Sequence, residues 1–188
     1  MATARQAALR RLVTFYDPFV PNPAGMDPTF NQVISWPDNL LESKHDFIQW
    51  LFPTHVPSAY VANAPVLDEA TIRHFRSHQG ILLNMKLALV RMMRFYGFDV
   101  RYTVAGCLVM ERPGGREKFL HWIRRGDHNQ KRITRIIASL RLMGLGNEAQ
   151  NIYEAFVDAN RRYNGDVTET ALAFWQTTLL GSLNIMGM

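Results

Sequence analysis

ILLNMKLALVRMMRFYGF, residues 81–98, is the most apolar stretch of the chain, and its reading decides the fold. A membrane span takes about 20 mostly apolar residues. Here Asn84, Lys86, Arg91 and Arg94 interrupt the run. A central soluble helix ended by Gly97 is expected instead, with no integral membrane segment. Asn84 and Arg91 stand seven apart and share one side of that helix with Leu87, Ala88 and Phe95. A buried guanidinium needs carboxylate or carbonyl partners. The pair is read either as structural or as the polar lining of an apolar pocket.

Working outward toward the N-terminus, Asp68 suits the N-cap of a short helix over 69–77. Residues 53–67 carry Pro53, Pro57 and Pro65 and read as irregular. Before them the spacing predicts one helix over 38–52. Residues 18–37 hold Pro18, Pro21, Pro23, Gly25 and Pro28 before Pro37 closes the stretch, and read as an ordered loop or extended wrap. Leu9, Leu12, Val13 and Tyr16 set a first helix over 5–16. Toward the C-terminus, 98–115 reads as an ambiguous strand-and-turn region, with RYTV as a short strand. A short helix fits 116–124. Asp127 with Gln130 reads as a capping box opening a helix to Met143, which Gly144 stops. Asn147 is expected to cap a helix to about Tyr163, and a last helix covers 167–180. The expected fold is all-α: a single domain over 1–188, a bundle of about six or seven helices with Pro-rich connecting loops. Residues 1–9 and 181–188 are read as peripheral tails.

The chain has 188 residues, 47% apolar and 20% charged, which is ordinary globular composition. Its net charge is +5 and its pI about 9.7, yet no run of five like charges exists and no groove-reading motif is present, so nucleic acid is not expected as a partner. The single cysteine, Cys107, rules out an internal disulfide and suits a reducing, intracellular compartment, cytoplasmic or nuclear. Its apolar neighbours in VAGCLVM suggest a core residue. The N-terminus has no apolar signal region.

Candidate site residues come from polar positions set among apolar ones. On a continuous 38–52 helix, Asp38, Glu42, His45 and Gln49 form a row at the edge of the apolar face, bordered on the other edge by Trp50. Glu42 would orient His45 and raise its pKa, as proton-transfer histidines are prepared. In HNQKRITRIIASLRLMG, residues 128–144, Asn129 falls in the middle of the stripe of Ile133, Ile136, Ile137, Leu140 and Met143. It either ties the helix end to a neighbouring loop or faces a ligand, with Arg132 beside it as an anion partner. No GxSxG, HExxH, CxxC, Walker or GxGxxG motif occurs. His74 and His78 lack a third ligand at a useful spacing, so no metal is expected, and no cofactor.

Phe15-Tyr16, Trp36, Asp38, Leu41-Glu42, HDFIQWLFP (45–53), NAPVL (63–67), Phe95-Tyr96-Gly97, HN..RITRI (128–136) and Trp175 together resemble the conserved region of the opioid growth factor receptor family, over about residues 10–178. The resemblance implies an all-helical domain, an enkephalin-type peptide as ligand of the animal receptor, and a nuclear association. It supplies no catalytic residues. Three readings follow. A binding module would hold a peptide or small apolar molecule in a pocket walled by helices 38–52, 81–97 and 128–143, with Trp36 and Trp50 as contact area and Arg91 or Arg132 meeting a carboxylate. A cofactor-free cyclase, isomerase, lyase or dehydratase would use His45 or His128 to move a proton. A structural interaction domain would use the same polar groups as internal struts. Homodimerisation stays open.

Overall fold

A computed structural model of the chain describes residues 4–111 and 114–182. Among the described residues the fold is mostly helical, with nine α-helices, one 3₁₀ turn and one two-stranded hairpin. The backbone clusters into two compact units, one running through Ala88 and the other beginning at Leu89. The expected C-terminal tail falls mainly on 183–188, which lie outside the described residues.

The first unit begins with α1, Ala4–Tyr16, so the helix starts inside the expected tail, and Leu9 is already buried. The Pro-rich stretch that follows is not wholly loop. It contains α2, Phe30–Ser35, opened by a reciprocal capping box in which Thr29 Oγ1 accepts from Gln32 N at 3.3 Å and Gln32 Oε1 accepts from Thr29 N at 2.6 Å. Two orphan donors of a very short helix are thereby satisfied.

The predicted 38–52 helix is two helices, α3 (Asp38–Ser43) and α4 (Ile48–Leu51). The chain turns extended at Lys44, with φ −84° and ψ 136°. At the end of α3 the short polar side chain of Ser43 competes with the helical backbone, its Oγ donating to Leu40 O at 3.3 Å. Beyond α4 the 53–67 segment is irregular as expected, pinched shut by Leu67 N donating to Thr54 O at 3.0 Å. Asp68 then caps α5, Glu69–Ser77, accepting from Thr71 N at 2.8 Å. The core is aromatic: Tyr16 meets the rings of Phe15, Phe30 and Phe75 at 5.4–5.6 Å and donates its hydroxyl to Leu51 O.

Helix α6, Gln79–Phe95, is the predicted central helix. It is less enclosed than its composition suggests, since Leu83 and Leu87 are exposed. Gly97 at φ +96° stops it, with Phe98 N donating back to Met93 O at 3.0 Å.

In the second unit the ambiguous 98–115 region is an antiparallel hairpin, β1 (Asp99–Tyr102) and β2 (Leu108–Glu111), with Val100 opposite Met110. The fold is therefore not purely helical. Cys107 sits beside the hairpin turn and is exposed, which corrects its reading as a core residue: it shares the turn with exposed Val104, and the chain reaches the interior only at the next residue, Leu108. The expected 116–124 helix is a single 3₁₀ turn at Arg116–Phe119. Helices α7 (Asn129–Leu142), α8 (Gly146–Arg162) and α9 (Glu169–Leu180) follow, with α7 packed on both others. Asn147 lies inside the first turn of α8 rather than capping it. The core is Trp122, Phe156 and Trp175, with ring centroids 4.7–6.3 Å apart.

Candidate functional site

The candidate site is a concavity of about 370 Å³ in the first unit. That is the small end of the range for ligand pockets, roughly 300–1,000 Å³. Helix α1 contributes Arg11 and Phe15, one turn apart on one face. The loop before α2 contributes Asp27 and Pro28, joined by a cis peptide, and α2 itself contributes Gln32 and Val33. Trp36 follows, and the break between α3 and α4 supplies Lys44, Asp46 and Phe47 before Trp50 on α4. The interruption at Lys44 matters here, because it carries Lys44 and Asp46 to the pocket while Phe47 stays buried beneath it.

The walls are aromatic and fixed. Trp36 and Phe47 meet edge to face at 5.8 Å, and Phe15 lies 6.4 Å from Trp50. The Arg11 guanidinium sits over the Trp50 ring, 5.2 Å from its centroid, and its Nη2 donates to Asp27 O at 3.4 Å. The formal charges balance, with Arg11 and Lys44 against Asp27 and Asp46. Such a site offers aromatic contact area plus groups of both signs, so it can hold an uncharged or zwitterionic group better than a strongly charged one.

Of the sequence candidates, Trp36 and Trp50 line this concavity. Asp38 and Glu42 lie one turn apart on α3, but the helix ends before His45, so the straight row through His45 and Gln49 does not form. His45 is exposed on the connecting bend. Gln49 is buried on α4 and donates from Nε2 to Ser58 Oγ at 3.4 Å, steadying the 53–67 segment. Asn84 donates from Nδ2 to Tyr16 O at 2.8 Å, which ties α6 to the end of α1.

The remaining candidates belong to the second unit. Arg91 is half-buried on α6, and His128 is exposed, with Nδ1 3.6 Å from Asp127 Oδ1. Asn129 is fully buried and donates to His121 O at 2.7 Å, while its Oδ1 accepts from Arg132 Nη1 at 2.9 Å. The expected capping box is absent. Asp127 accepts from Asn129 N at 2.8 Å, but Gln130 turns inward and donates to Trp122 O at 3.0 Å and Arg124 O at 2.7 Å. The start of α7 thus clamps the 121–124 turn. Burial pulls the Arg135 guanidinium down to about 10, and it raises the Tyr102 phenol with help from the charge and hydrogen bond of Glu148.

Sequence reasoning passed over Arg11, Phe15, Asp27, Gln32, Lys44, Asp46 and Phe47 as pocket residues. Two signals were available. Thr29-x-x-Gln32 is a capping-box signature, and Arg11 and Phe15 share a helical face. Among the described residues no group of three or more His, Cys, Asp or Glu side chains could hold a metal ion, and no helix is long and apolar enough to cross a membrane.

Comparison with known proteins gives a consistent answer. The human opioid growth factor receptor is 32% identical over 146 residues, covering 75% of this chain and 21% of that protein. The opioid growth factor receptor-like protein 1 of Xenopus tropicalis is 26% identical over 166 residues, covering 86% of this chain and 31% of that protein. The chain therefore spans less than a third of the length of these relatives. No solved structure matches it. The profile described as the opioid growth factor receptor (OGFr) conserved region matches residues 11–182, and the chain belongs to that family.

Proposed function

We propose that the chain is a binding module whose first unit holds an apolar or aromatic group of a small molecule or peptide against Trp36 and Trp50. The carrying observation is the pocket of about 370 Å³ walled by Phe15, Trp36, Phe47 and Trp50. Three of its lining residues, Asp46, Phe47 and Trp50, come from HDFIQWLFP, one of the stretches on which the family resemblance rests. The relatives named as receptors for an opioid growth factor make a peptide the first class of ligand to try. Binding is favoured over turnover because neither His45 nor His128 lines the pocket. The lone thiol suits work inside the cell.

Tryptophan fluorescence tests this directly. Trp122 and Trp175 are fully buried, so quenching by acrylamide reports on Trp36 and Trp50. Short peptides and small aromatic compounds are titrated into the chain. A ligand of this pocket protects the emission from quencher, and Trp50→Ala weakens its binding at least tenfold, about 1.4 kcal/mol. A ligand whose affinity is indifferent to both Trp36→Ala and Trp50→Ala would overturn the reading.

A further inference from the structure

Asn164-Gly165 is the one Asn-Gly pair in the chain. Glycine carries no Cβ to shield its nitrogen, so that nitrogen can attack the side-chain amide carbon of a preceding asparagine. A C–N bond forms, the glycine N–H proton departs with the amide group as ammonia, and a cyclic imide remains. Water then adds across one of the two ring C–N bonds. The product is aspartate, or isoaspartate in which the main chain runs through the side-chain carbon. An exposed Asn-Gly pair is therefore a modification site wherever the fold leaves the glycine nitrogen at liberty.

Here the fold withholds it. Asn164 is exposed just past α8 and takes a left-handed backbone, with φ 47°. Asparagine is one of the few residues besides glycine that visit this region. Gly165 N donates back to Asn160 O at 2.8 Å, the closing bond of a Schellman cap. The proton that the nitrogen must shed is thus held by the helix end. The flanks are pinned as well. Tyr163 stacks on Phe119 at 5.0 Å and donates its hydroxyl to Gly114 O at 2.7 Å. Asp166 N donates to Ile123 O at 2.9 Å, and Val167 N to Asn160 Oδ1 at 3.4 Å. Glycine is required at 165, because a Cβ there would run into Asn160 Oδ1 and Ile123 Cγ1. Close packing therefore imposes the labile dipeptide, and the cap keeps it from reacting.

We propose that Asn164 is a latent deamidation site guarded by the α8 cap, converted only in copies whose cap has opened. Conversion runs one way. It lowers the net charge of +5 by one. The new carboxylate stands at the negative end of the α8 dipole and next to Asp166, both unfavourable. Isoaspartate also adds a carbon to the main chain inside a pinned turn. A converted copy recloses its cap less well, so the modification records past opening of this helix end.

The full chain is incubated in mildly alkaline buffer, folded and in guanidinium chloride. Conversion of Asn164 is followed by peptide mass mapping, and amide exchange at Gly165 is measured in parallel. Conversion is slower in the folded chain by about tenfold or more, a factor that matches the exchange protection of Gly165. Asn160→Ala removes the acceptor for Val167 N and speeds exchange at Gly165 and conversion of Asn164 by the same factor. Asn164→Gly keeps a left-handed cap and abolishes the acidic species on isoelectric focusing. Equal conversion in the folded and unfolded chain overturns the proposal. So does conversion that stays fixed while exchange at Gly165 rises, or an acidic species that forms as fast in Asn164→Gly.

Discussion

Asn129 illustrates how much one amide can hold. It is fully buried, and both ends of its side chain are engaged, with His121 O at 2.7 Å and Arg132 Nη1 at 2.9 Å. Replacing it by Ala strands a carbonyl and removes a guanidinium partner inside the second unit. The expected outcome is a loss of roughly 1–3 kcal/mol, read from the urea midpoint. That Asn129 points inward was legible, because it falls in the middle of a helical apolar stripe. Its partner was not, because His121 lies in an irregular turn that no periodicity describes. Gln130 misled for a related reason. Its position after Asp127 matches a capping pattern, but the carbonyls of Trp122 and Arg124 compete for the same amide and win.

At the scale of elements, α2 is the one on which the pocket most depends. Six residues are too few for a helix to persist alone, since nucleation is costly. Its reciprocal cap at Thr29 and Gln32 compensates. Thr29→Ala should cost about 1 kcal/mol. It should also raise hydrogen exchange at the amides of Gln32 and Val33, both pocket residues. If exchange there stays at the parent rate, the cap does not hold the helix. Elements with strong end signals were readable in advance: Asp68 opens α5 and Gly97 closes α6 where expected. The 38–52 stretch was not, because its apolar spacing continues through a backbone break. Periodicity sees side chains and is blind to the dihedral change at Lys44.

For the molecule as a whole, alkaline pH is the informative stress. Tyr16 is held neutral by burial, and Tyr102 by burial and then by the negative charge and hydrogen bond of Glu148. Both phenols have native pKa values above the unfolded value near 10. Their contribution to stability is complete below that pH and is lost as pH rises toward the native values. Arg135 has the opposite sign. Its native value, lowered to about 10 by burial, means a charge held at a cost that eases once the pH passes that point. Phenolate absorbance should show neither Tyr16 nor Tyr102 ionising while the fold persists, both appearing with unfolding. Ionisation of all six tyrosines without loss of circular dichroism would contradict the burial described. Mostly helical architecture was legible at this scale because it rests on spacing within segments. The pocket was not, since α1, α2 and the 36–50 stretch meet only through folding, while the expected site drew on residues of both units.

Cys107 has a practical consequence. It is the chain's one sulfhydryl, and it stands in the open beside the hairpin turn. A preparation kept in air will join copies covalently through that sulfur, so a doubled mass measured without reductant reports oxidation rather than affinity. The same position accepts a maleimide dye at a single defined place, in the second unit and outside the tryptophan-lined pocket.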